Sequence, residues 1–146
     1  MIKLSGKLNP AAAALAAALT LAAWPALAEV VVVVHPSSAT SSMTAQQVTQ
    51  IFLGSSNAFP DGSNAVPVET KAGALRDEFL AKVMDKSAGQ VKAVWSRIVF
   101  SGKGQPPREF PDAAGVKAFV AANPGAIGYI DKASLDASVK SVLKAP

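Results

Sequence analysis

The chain has 146 residues, with 14 Lys and Arg against 10 Asp and Glu, one His and no Cys. That length suits one domain with room for an ordinary core. The lack of Cys excludes disulfides, thiolate metal ligands and a Cys nucleophile.

The first element in chain order is a leader. Lys3 and Lys7 form a positive start, an apolar run follows from Ala11 to Ala23, Pro25 breaks it, and Ala26-Leu27-Ala28 offers small residues at a cleavage site. This pattern is that of a secretory signal peptide covering 1–28, with cleavage expected after Ala28. The run is shorter than the roughly 20 apolar residues of a membrane span. No Cys follows it and no twin Arg precedes it, so a lipoprotein anchor and folded export are not expected. Removing Lys3 and Lys7 leaves 12 basic against 10 acidic residues over 29–146, a net charge of +2. Such a balance gives no argument for nucleic acid and is compatible with an anionic solute. An envelope address also removes ATP and other intracellular cofactors from consideration.

Val30 to Val34 are five consecutive Val residues. A β-branched run without polar alternation predicts a strand buried on both faces, as in a parallel sheet. Pro36 ends it and Ser37 to Ser42 form a polar loop. Thr44 and Gln47 predict a capping box for a short helix whose apolar stripe is Val48, Ile51 and Phe52, with Met43 and Val48 placed as a hydrophobic staple and Gly54 as the stop. The stretch from Ser55 to Asn64 is rich in turn residues. Ala65 to Glu69 predicts a short strand that Pro67 weakens. A helix is expected over 74–86, with Leu75, Phe79, Leu80, Val83 and Met84 on one face. Ser87 and Gln90 predict the cap of a third helix facing inward through Val91, Val94, Trp95, Ile98 and Val99. Phe100 to Pro111 reads as a loop. Asp112 predicts the cap of a fourth helix with Val116, Phe119 and Val120 inside. Ala126 to Ile130 predicts a strand whose Gly128 permits close backbone approach. Ser134 to Asp136 suggests a helical turn, and Val139 to Leu143 a final strand. This order predicts an α/β domain built as a three-layer αβα sandwich.

Ligands of open α/β sheets gather at the carboxyl ends of strands, and two loops follow strands here. Ser37, Ser38, Thr40 and Ser41 could hold an oxyanion through their hydroxyls and the amides opening the next helix; equally, such hydroxyls cap their own backbone. Thr70, Lys71 and Gly73 precede the second helix, where Gly73 allows close approach and Lys71 adds charge. Arg76 in that helix's first turn opposes the helix dipole. It would be explained by an anion or acidic partner, or by a surface pair with Asp77 or Glu78. Ser101-Gly102-Lys103-Gly104 lacks the spacing of a nucleotide loop. His35 is the only His, and no Gly-x-Ser-x-Gly elbow selects a Ser to join it, so neither a metal site nor an enzyme is expected.

Three segments resemble one half of a periplasmic phosphate-binding protein of an ABC transporter. They are Met43-Thr44-Ala45-Gln46-Gln47-Val48-Thr49-Gln50-Ile51-Phe52-Leu53-Gly54, then Trp95 with Gly102-Lys103-Gly104 and Gly115-Val116, then Ala122-Asn123-Pro124-Gly125-Ala126-Ile127-Gly128-Tyr129-Ile130. The resemblance implies a single lobe of a type 2 periplasmic-binding-protein fold, with phosphate or a related oxyanion as ligand. It implies no cofactor, and an ABC permease or another envelope protein as partner. A homodimer could rebuild the wall that a second lobe supplies in full-length members. The family clamps phosphate with a Ser-Gly-Thr turn that opens a helix, preceded by an Arg. The matching turn here is Ala72-Gly73-Ala74, without the hydroxyls or that Arg. A module that kept the fold and lost the ligand, serving envelope protein interactions, is the alternative that this departure raises.

Overall fold

The computed structural model describes residues 29–145, and the leader expected over 1–28 lies outside the described residues. The order is β1 (Val30–Val34), α1 (Ala45–Phe52), β2 (Val66–Thr70), α2 (Ala74–Lys82), α3 (Ala88–Phe100), β3 (Arg108–Phe110), α4 (Ala113–Ala122), β4 (Ala126–Asp131), a 3-10 turn (Lys132–Ser134) and β5 (Lys140–Ala145). One five-stranded sheet carries the strands in the order β3-β2-β4-β1-β5. All five Val of β1 are fully buried because the strand is central and covered on both faces. Val30, Val32 and Val34 pack with residues of α1, α2 and α3, including Val48, Phe79 and Trp95. Val31 and Val33 pack with Val116 and Val120 of α4. The fold is therefore the expected three-layer α/β sandwich, with three helices on one face and α4 on the other.

The direction of β1 corrects the expectation of a parallel sheet. β2 runs parallel to β3 and to β4, while β1 is antiparallel to both β4 and β5. An unbroken apolar run reports burial on two faces and nothing about the direction of its neighbours. Position 108–110, read as loop, is edge strand β3, paired as Val68↔Arg108, Glu69↔Glu109 and Thr70↔Phe110. Pro67 is tolerated within β2 because β3 begins opposite Val68, one residue later. The second helix stops at Lys82, four residues before its expected end. Val83 and Met84 remain in the core beyond it, and Asp85 takes a φ of 52°. The final strand is displaced by one to two residues, to Lys140–Ala145, and the turn before it to Lys132–Ser134.

Local signals set the helix starts. Thr44 Oγ1 accepts from Gln47 N at 3.1 Å while Gln47 Oε1 accepts from Thr44 N at 2.9 Å, and Ser87 and Gln90 repeat the arrangement at 3.2 and 2.9 Å. Asp112 Oδ1 accepts from Gly115 N at 2.9 Å at the start of α4. Met43 and Val48 are both buried in one cluster, as a staple requires. Gly128 sits where α4 crosses β4; an added Cβ would lie 2.5 Å from Val116 Cγ1. The third helix corrects one expected core residue: Val99 is 49% exposed, and Phe100 beside it is 97% exposed.

Candidate functional site

Because β1 opposes its neighbours, the two candidate loops lie at opposite ends of the sheet. Val34, which leads into the Ser loop, pairs with Ile127, and Ile127 pairs with Pro67 near the start of β2. Thr70, at the far end of β2, leads into the Lys71–Gly73 turn. The structure thus separates Ser37, Ser38, Thr40 and Ser41 from Thr70, Lys71, Gly73 and Arg76.

Polar groups of the Ser loop are largely turned on one another. His35 Nδ1 accepts from Ser37 N at 3.1 Å and lies 2.7 Å from Ser37 Oγ. Ser38 Oγ accepts from Thr40 N at 3.3 Å, and Lys140 Nζ donates to the Ser38 carbonyl. Thr40 is buried, and its Oγ1 has no hydrogen-bond partner among the described residues. Ser41 is exposed.

The turn after β2 is tied down through its backbone. Thr70 N donates to Tyr129 Oη at 3.2 Å, and the Thr70 hydroxyl lies 3.2 Å from the same oxygen. Lys71 N donates to Phe110 O at 2.9 Å. Tyr129 is held in turn by stacking on Phe79, with ring centroids 4.0 Å apart. Burial pushes its phenol up to about 12, against the pull of its Thr70 hydrogen bond, so it stays protonated at neutral pH. Thr70 is therefore buried, whereas Lys71, Ala72, Gly73 and Ala74 are exposed. Gly73 is the N-cap of α2 and makes no side-chain capping bond. The first intrahelical bond runs from Asp77 N to Gly73 O. The amides of Ala74, Leu75 and Arg76 precede it, the donors that every helix start leaves without an intrahelical acceptor. Helix-opening amides favour negative charge; Lys71 is exposed two residues before Gly73, and Asp77 lies in the first turn of the helix.

Arg76 meets acidic partners, and they belong to this chain. Its guanidinium lies 3.3 Å from Glu69 Oε1 and 3.3 Å from Glu109 Oε1, and it bonds neither Asp77 nor Glu78. Glu69 and Glu109 are register partners on β2 and β3, a like-charge pair that one cation bridges. Burial pushes the Glu69 carboxyl up to about 7, against the pull of Arg76, and the Glu109 charge adds to the rise. These three residues lie beneath a groove of about 820 Å³ whose walls include Val91, Trp95 and Pro107. Sequence reasoning missed Glu69, Glu109 and the tie from Tyr129. The one available signal was the unfavourable position of Arg76 in a first turn, which asks for a carboxylate without saying which.

No protein-family profile and no characterised protein sequence matches the chain. Solved structures do. The fold is similar to a substrate-binding protein assigned to a phosphate ABC transporter of Clostridium perfringens, solved with bound phosphate (TM-score 0.62, 21% identity, 80% of this chain and 45% of that one). It is also similar to an ABC-type phosphate transport receptor from Vibrio cholerae (0.61, 20%, 80% and 47%) and to PstS from Borrelia burgdorferi (0.57, 12%, 79% and 47%). The chain spans less than half the length of each. At these identities the likeness concerns the fold, and the described residues have the architecture of one lobe of a periplasmic-binding-protein fold.

Proposed function

We propose that the protein is an exported solute-binding domain that captures phosphate or a related oxyanion at the amides opening α2, with Lys71 balancing the charge. The observation that carries this reading is the contrast among helix starts. Thr44, Ser87 and Asp112 each close a helix N-terminus with a side chain, whereas Gly73 leaves that of α2 open beside an exposed Lys. The likeness to a protein solved with bound phosphate supports the same ligand class. In this reading Thr70 positions the turn and Arg76 braces it from within. Ser37 and Ser38 spend their hydroxyls on His35 and on the Thr40 amide, Thr40 is buried without a partner among the described residues, and Ser41 takes no part. Residues 1–28 act as the export signal, 29–146 form the working domain in the periplasm, and an ABC permease is the receiving partner. No reaction is assigned.

One lobe offers one wall, so affinity is expected to be modest. Calorimetric titration of the purified protein with phosphate tests the reading. Heat of binding and a raised melting temperature at millimolar phosphate are expected. The absence of both would sink it.

A further inference from the structure

Phe100 is the most exposed large apolar residue among those described, at 97%, and Val99 beside it is 49% exposed. Both stand on the rim of the groove between α3 and the segment leading into β3, whose apolar walls include Trp95 and Pro107. An exposed ring contiguous with an apolar groove offers apolar area to an interaction surface. The charges of this face indicate what covers it. Lys92 on the α3 wall makes no ion pair among the described residues. Glu109 on the β3 wall is 47% exposed in its side chain and has only a share of Arg76, which also serves Glu69. The face thus carries a knob and a hole, with a cation and a carboxylate that shares its one guanidinium lining the same groove. A surface with both members of each complementary pair fits a second copy of itself, because a two-fold axis makes every contact reciprocal.

We propose that this face is the interface of a two-fold homodimer in which Phe100 of each copy enters the groove of the other and Lys92 of each copy pairs with Glu109 of the other. The proposal goes beyond the reading above, which concerns one copy. Arg76, at the groove, is three residues from Gly73. The groove therefore reaches within about one helical turn of the α2 start along the chain.

Sedimentation equilibrium of the purified protein from micromolar to near-millimolar concentration tests this. A concentration-dependent dimer is expected, weakened by about tenfold or more in Phe100→Asp, an affinity change that such an assay resolves. Lys92→Glu and Glu109→Lys should each weaken it alone, and their combination should restore it. Phe100 lies almost wholly in solvent, so Phe100→Asp keeps its fold and decides the matter even where Glu109→Lys unfolds by crowding Arg76. A monomer at every concentration, or a dimer indifferent to Phe100→Asp, overturns the proposal. Phosphate titration of Phe100→Asp reports on the other reading separately. Binding that persists in the monomer keeps the anion site, and a wild-type monomer that binds phosphate overturns the dimer alone.

Discussion

The loop that follows β1 and the turn that follows β2 stand at opposite ends of one sheet and use their polar groups in opposite ways. The first is rich in hydroxyls, and two of them are spent on the chain itself: Ser37 on His35, Ser38 on the Thr40 amide. The helix after it is closed by a capping box. The second has no exposed hydroxyl between Lys71 and Ala74, yet its helix start is open. Under the proposed reading, the difference teaches that hydroxyl content is a poor guide to an anion site. What counts is which donors the fold has left without an acceptor, and side chains that cap a helix remove those donors from circulation.

The largest expected effect concerns the post to which the β2 turn is tied. Tyr129→Ala removes a buried ring stacked on Phe79 together with both contacts to Thr70. Chemical denaturation should show a loss of about 3–5 kcal/mol, the usual cost of deleting a buried aromatic ring. Ser37→Ala, at the other end, should leave stability within about 0.5 kcal/mol, as surface changes do.

A second expectation uses the carboxylate beneath the same end of the sheet. With its folded value raised from 4.5 to about 7, Glu69 binds a proton more tightly in the folded than in the unfolded chain. Its contribution is fully present below pH 4.5 and is lost as pH rises through 7. The melting temperature should fall by several degrees between pH 5 and pH 8, and Glu69→Gln should flatten that profile.

A third sharpens the comparison by restoring what the β2 turn lacks. Ala72→Ser with Ala74→Thr adds two hydroxyls at the opening of α2. Hydrogen bonds to a charged group are worth about 1.5–3 kcal/mol, so calorimetry should show phosphate affinity rising by about tenfold or more. A smaller effect belongs to the other loop. Thr40→Val removes a buried hydroxyl that has no partner and should raise stability by about 1 kcal/mol. Phosphate affinity should stay unchanged, whereas a fall would move the site to the Ser loop.

Much of this fold was legible because its signals are local. Capping boxes at Thr44 and Ser87, the staple from Met43 to Val48 and the apolar stripes are each contained within a few residues. The direction of β1 was not, because Val30–Val34 would read the same beside parallel or antiparallel neighbours. β3 was hidden by its three-residue length and by Pro106-Pro107 before it. Within the candidate site, Lys71 and Gly73 were visible as a turn between a strand and a helix. The partners of Arg76 were not: Glu109 lies 33 positions away and reaches it only through the β2–β3 pairing. Tyr129 stands in the sequence only as part of the Ala122–Ile130 segment, and its hydroxyl bond to Thr70 spans 59 positions.

The central claim, that the open helix start after β2 and not the Ser loop receives the anion, is tested most directly by amide NMR. Phosphate titrated into uniformly 15N-labelled protein should shift the amide signals of Lys71 to Arg76 progressively and leave those of Ser37 to Ser41 in place. Shifts centred on Ser37 to Ser41, or no shifts in either segment at millimolar phosphate, would contradict it.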